Sequence, residues 1–99
     1  MARHTVCFVG LDVGTSGAKA LAVTPEGRLI GRGSATYPMA TPKPGWAEQH
    51  PDLWWKGSCQ ALKQAAASAK RAGAEIRGLG LSGQMHSSVF LDASDHVIR

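Results

Sequence analysis

The segment Gly10-Leu11-Asp12-Val13-Gly14-Thr15-Ser16-Gly17-Ala18-Lys19 constrains this chain more than any other. It sets a carboxylate, two turn glycines and two adjacent hydroxyls between apolar runs. Thr5 to Leu11 (TVCFVGL) is short, β-branched and almost wholly apolar, the pattern of a strand buried on both faces. Ala18 to Thr24 (AKALAVT) is a second strand candidate, so the glycine-rich piece between them reads as a hairpin turn. Glycine reaches positive φ at little cost. Gly14 and Gly17 are therefore expected to adopt it, turning successive backbone N–H groups toward one point as an anion-binding concavity. Thr15 and Ser16 add hydroxyl donors there. Asp12 at the strand end would repel bare phosphate unless a cation lay between them. A hydrated magnesium ion fits that gap, since it prefers hard oxygen ligands and keeps several waters. The plainer reading of the same residues is a tight hairpin with a surface Asp. No Gly-x-x-x-x-Gly-Lys-Ser/Thr string occurs, and the loop is flanked by strands instead of opening a helix.

Downstream, Thr24-Pro25-Glu26-Gly27 is a turn, followed by a third strand from Leu29 to about Tyr37, so three strands form an antiparallel meander. Pro38, Pro42, Pro44 and Gly45 mark a loop running to Trp46-Ala47-Glu48-Gln49-His50. From Pro51 to about Ala72 the pattern predicts a helix, with Pro in the first turn, Asp52 near the positive dipole end and Gly73 as the stop. Trp55, Cys59, Leu62, Ala66 and Ala69 give its apolar stripe, with Lys56, Lys63 and Lys70 opposite. Trp54 and Trp55 read as core and edge packing in preference to a ligand platform. Glu75 to Gly83 is a further strand. Its Gly78-x-Gly80-x-x-Gly83 spacing mimics a dinucleotide fingerprint, but that motif must follow a strand and open a helix, which this one does not. The Gly and Leu alternation is expected to let this strand lie tightly under the alanine-rich helix. Val89 to Asp92 and His96 to Arg99 suggest a hairpin whose second strand is cut short, with Asp92 and Asp95 as turn residues.

Ninety-nine residues make at most one small domain. The net charge of +4 is spread along the chain, without the basic stripe and interleaved aromatics of a nucleic-acid face. The first apolar run is too short for a signal peptide or membrane span, so a cytoplasmic setting is expected. Cys7 and Cys59 read as buried free thiols. His4, His50, His86 and His96 lack the paired spacings of zinc ligands.

The phosphate-loop string resembles the first phosphate loop of the actin-like ATPase superfamily and, within it, the FGGY carbohydrate kinases. The resemblance implies an α/β fold, the ribonuclease-H-like N-terminal domain of that superfamily, in β-β-β-α-β order with a following hairpin. Its fourth strand would lie beside and parallel to the first. The ends carrying Asp12 and Gln84 to His86 would then meet, where open α/β sheets bind ligands. It further implies ATP and magnesium as cofactors, a magnesium role for Asp12, and phosphate contacts from Gly14, Thr15 and Ser16, with Lys19 a weaker candidate. Gly83-Gln84-Met85-His86 resembles the sugar-contact segment (83–87) of the xylulokinase members. By that likeness Met85 and His86, with Gln84 beside them, would contact a ketopentose; from the residues alone, a loop with a partly buried His and a core Met is the plainer reading. The Gly45 to Gln49 segment and the helix start also resemble the family and would shape the cleft wall; a loop anchored by a packed Trp reads equally well.

The implied reaction is γ-phosphoryl transfer from ATP to the 5-hydroxyl of D-xylulose, with the base, an Asp, beyond residue 99. The partners are thus the sugar and ATP, without nucleic acid or membrane; a homodimer of the full-length protein is an assembly the resemblance allows. A kinase needs two lobes and a cleft, so the chain reads as an N-terminal fragment, truncated and inactive alone. His50 stands where relatives carry an acidic helix cap. Ser87 follows Met-His where xylulokinases have Gly, which keeps ribulokinase-like or gluconokinase-like specificity open. A non-catalytic sugar- or nucleotide-binding relative and, more remotely, a dinucleotide-binding oxidoreductase are the alternatives from other classes.

Overall fold

A computed structural model of the chain describes residues 5–39, 44, 49–83, 89 and 91–97. It contains β1 (Thr5–Val13), β2 (Gly17–Val23), β3 (Leu29–Thr36), α1 (Pro51–Arg71) and β4 (Ala74–Gly83). The sheet order is β3-β2-β1-β4: an antiparallel meander, with β4 parallel to β1 after the helical crossover. This is the expected order. Leu91 and Val97 form an antiparallel bridge around a turn at Asp92, whose carboxylate accepts from the N–H groups of Ser94 and His96. Asp92 and Asp95 are thus turn residues.

Local chemistry sets the turns and ends. Between β2 and β3 the Thr24 N–H donates to the Arg28 carbonyl, the Arg28 N–H donates to Thr24 Oγ1, and Gly27 takes a φ of 89°. Left-handed backbone of this kind favours glycine. α1 begins with His50 as N-cap, its Nδ1 accepting from the Asp52 N–H in the role an acidic or hydroxyl cap usually fills. It ends at Ala72, followed by Gly73 at φ 77°.

The core lies between α1 and one sheet face. It comprises Cys7, Val9 and Leu11 from β1, Ala18, Ala20 and Ala22 from β2, Tyr37, and Ala61, Ala65 and Ala69 from α1. Two packing expectations need correction. The buried helix stripe runs through Gly57, Ser58, Ala61, Ala65 and Ala69, while Trp55 is 71% exposed and Cys59 only half-buried. Both cysteines are free, with only Cys7 buried. The helix has rotated its small residues inward because it rests on β3, where Gly31 and Gly33 admit its backbone. A Cβ on Gly31 would lie 2.7 Å from the Ala65 carbonyl oxygen, and one on Gly33 would collide with that of Ala61. Those glycines provide the close approach that had been expected of β4. Alanine buries little apolar area, so tight backbone contact supplies the dispersion attraction that larger side chains would otherwise give.

β4 receives little of the helix, which packs mainly on β3 and β2. Leu79 and Leu81 pair with Val9 and Leu11 and share their side of the sheet, yet are 54% and 72% exposed. Gly78 and Gly80 lie within this strand, so the dinucleotide-like spacing is strand sequence, as expected.

Candidate phosphate site at the ends of β1 and β4

Asp12 lies near the C-terminal end of β1, on the sheet face opposite Cys7, Val9 and Leu11, because alternate strand residues point to opposite faces. Register sets its neighbours. Lys19 of β2 is directly across on one side and Ser82 of β4 on the other. Ser34 of β3 in turn pairs with Lys19, so the row Ser34, Lys19, Asp12, Ser82 runs polar across the outer face. Ser82 Oγ donates to Asp12 Oδ1 at 2.9 Å. That bond ties two residues seventy positions apart and fixes the carboxylate while using one of its roughly four lone-pair sites. Lys19, whose side chain is exposed, shares the face that carries Asp12.

Beyond Asp12 the chain turns through Gly14, Thr15, Ser16 and Gly17. The expectation of positive φ at Gly14 and Gly17 is not met; in the described residues that conformation is confined to Gly27 and Gly73 among glycines. Glycine is required at Gly17 for another reason. A Cβ there would collide with the Ala35 carbonyl oxygen and stand 3.1 Å from the Thr36 Cα, so any side chain would push β2 off β3. At Gly14 a Cβ would meet the Gly17 carbonyl oxygen at 3.2 Å. Close approach, not left-handed backbone, sets Gly17, whereas at Gly14 a side chain would ask only a small shift of the Gly17 carbonyl.

The carbonyls of the turn point into the protein body. Gly14 O accepts from the Tyr37 hydroxyl at 2.5 Å, Thr15 O from Gln49 Nε2 at 2.7 Å, and Ser16 O from the Tyr37 N–H at 3.1 Å. Gly17 O accepts from the Gly14 N–H at 2.9 Å. Burial pushes the buried Tyr37 phenol above its ordinary pKa, with the Asp12 charge adding to the effect, so it stays a neutral donor. Thr15 and Ser16 themselves are exposed at the tip.

Tyr37 and Gln49 had been read as a strand end and a cleft-wall loop. Neither carries a sequence signal for loop support, since their partners are backbone carbonyls of a distant turn. Gln84, Met85, His86, Ser87 and Gly45 to Glu48 lie outside the described residues. What is fixed is that Gly83, which precedes Gln84 in sequence, pairs with Val13 one position beyond Asp12.

A three-strand meander returning through one helix to a strand parallel with the first, with an acidic glycine and hydroxyl turn at the strand ends, defines the N-terminal part of an actin-like ATPase fold. The chain belongs to the FGGY family of carbohydrate kinases: residues 7–99 match that family's N-terminal domain. It is 36% identical over 92 residues to a xylulose kinase of Klebsiella pneumoniae, an alignment covering 93% of this chain and 19% of that protein. Among solved structures, one described as a xyloylose kinase from Brucella ovis superposes with a TM-score of 0.85 at 40% identity, over 94% of this chain and 20% of the other. A gluconate kinase from Lactobacillus acidophilus gives 0.83 at 25% identity, over 96% and 19%. The chain thus spans about a fifth of the length of the relatives it matches. None of its described helices is long and apolar enough to cross a membrane.

Proposed function

We propose that this chain is the N-terminal part of an FGGY kinase that transfers the γ-phosphoryl group of ATP to the 5-hydroxyl of D-xylulose, giving xylulose 5-phosphate and ADP. The observation that carries this reading is the meeting of the Asp12 strand end and phosphate turn with the end of β4, from which the chain continues directly into Gln84-Met85-His86. The likeness to xylulose kinases from several bacteria supports the ketopentose over other sugars.

In this reading Thr15 and Ser16 bind the terminal phosphates through backbone N–H and hydroxyl groups, with Gly14 giving the room. Lys19 adds a cation on the Asp12 face. Asp12 is a hard oxygen donor, exposed and held in place by Ser82, which fits a magnesium ion. Asp12 is assigned to act through the ion's own waters, several of which magnesium keeps when bound. When bound, the ion neutralises charge on the phosphates, the main requirement of phosphoryl transfer beside positioning. Gln84, Met85 and His86 are assigned to the sugar, since amide and imidazole groups offer directional donors and acceptors to a polyol. The catalytic base is assigned to a downstream Asp, so residues 1–99 alone are inactive.

The test is a panel of D-xylulose, ribulose, gluconate and glycerol offered to the full-length protein with ATP and magnesium. D-xylulose should give the highest kcat/KM. Preference for gluconate or ribulose would overturn the substrate assignment, and nucleotide binding without any turnover would point to a non-catalytic relative.

A further inference from the structure

We infer that Gln49, oriented by Trp54, is a positioning residue that sets the peptide planes of the phosphate loop from beneath; the inference rests on the nucleotide reading of that loop. Trp54 lies in the first turn of α1 and packs against the core, so its indole is placed by the same contacts that seat the helix. Its Nε1–H donates to Gln49 Oε1 at 3.0 Å. An indole N–H can only donate, so it selects one of the two orientations of the Gln49 amide. With the oxygen so engaged, Nε2 faces two acceptors, donating to Thr15 O at 2.7 Å and Pro38 O at 3.2 Å. All three contacts agree with that one orientation and none with the other.

The consequence is electrostatic. In a trans peptide the C=O and the next N–H point in opposite directions. Drawing Thr15 O toward Gln49 therefore aims the Ser16 N–H away from the protein body. The Tyr37 bond to Gly14 O does the same for the Thr15 N–H. Carbonyl oxygens facing the phosphates would repel them, whereas N–H groups attract them. Gln49 touches no reacting atom in this account; it acts through the loop. The bond to Pro38 O also joins the loop to the segment leaving β3, so the helix start, β3 exit and phosphate turn meet at one side chain.

Gln49→Glu in the full-length protein is the test. The variant keeps an acceptor for Trp54 but puts carboxylate oxygen against two carbonyls. The KM for ATP should rise roughly tenfold or more, as expected for losing two such hydrogen bonds, with the KM for sugar unchanged. Trp54→Phe, which removes the orienting N–H together with part of the indole's packing against the core, should shift the KM for ATP the same way by less. Hydrogen exchange without nucleotide should show the Gly14 and Tyr37 amides, which donate to Gly17 O and Ser16 O of the turn, exchanging faster in Gln49→Glu. Unchanged exchange at those amides, or ATP and sugar constants rising together, would overturn the positioning role. Should the wild-type protein bind no ATP, the nucleotide reading fails, while the exchange comparison still decides whether Gln49 holds the loop.

Discussion

The two strands that flank β1 are held very differently. On one side β2 is pressed against β3 at Gly17, its turn carbonyls are tied to Tyr37 and Gln49, and α1 seals the small-residue face. On the other side β4 pairs with β1 but carries Leu79 and Leu81 exposed on the face that α1 covers elsewhere. Asp12 stands on the seam, anchored toward β4 by the Ser82 hydroxyl. The difference bears on the phosphate site proposed above. Under that reading the loop's N–H groups are already aimed when the anion arrives, and the contacts that would aim them lie within residues 14 to 54. Asp12 is placed by one well-directed hydrogen bond on an exposed face.

The sharpest way to break this comparison is Asp12→Asn in the full-length protein. An amide oxygen can still accept from Ser82, so stability should change little. The negative charge is lost, and kcat/KM should fall by roughly a hundredfold to a thousandfold, the scale for removing one preorganised electrostatic partner. A steady-state assay beside a denaturant titration measures both. A matched loss of stability would mean that Asp12 serves the seam and not the chemistry.

Next in size is a contrast between the two flanks. Gly33→Ala places a methyl against the Ala61 carbonyl and should cost about 1–3 kcal/mol through overpacking. Leu81→Ser, at a side chain 72% exposed here, should cost under about 0.5 kcal/mol in the 99-residue chain. Denaturant midpoints of the two variants give the ranking directly. Equal costs would show that β4 is as firmly packed as β3.

The legibility of the sequence followed the same division. Strand order, helix limits and the turn residues rest on local signals: β-branched runs, Pro and Gly punctuation, and a 3.6-residue period. Those survived. What failed depended on which backbone comes close to which. The glycines at positions 14 and 17 look like left-handed turn residues, yet neither takes positive φ, and Gly17 is needed because the Ala35 backbone crowds it. The helix stripe was expected through Trp55, Cys59, Leu62, Ala66 and Ala69; Ala69 is buried and Leu62 packs at the core's edge, but the partner strand carries Gly31 and Gly33 and draws in the small residues from Gly57 to Ala65 in place of Trp55. The place of Asp12 at the end of β1 was legible because its motif is contiguous. Its tether to Ser82 and the supports at Tyr37 and Gln49 were not, since pairing across long separations leaves no local pattern.

The gentlest probe concerns the anchored flank alone. Tyr37 is the single tyrosine of the chain, so phenolate absorbance in the 99-residue chain reports it without interference from another phenol. Burial first, and the Asp12 charge second, raise its pKa above 10.0, so ionisation is disfavoured in the folded state. A raised pKa contributes stability that is fully present below the unfolded value near 10.0 and is lost as pH rises through the folded one. No change in loop support from this group is therefore expected between about pH 6 and 9. The native titration midpoint should lie above that of the same chain in denaturant. Asp12→Asn should lower the native midpoint slightly while leaving it above the denatured one, because desolvation is the larger cause. If native and denatured midpoints coincide, the phenol is not held against Gly14, and the rigid flank loses one of the donors that distinguish it from β4.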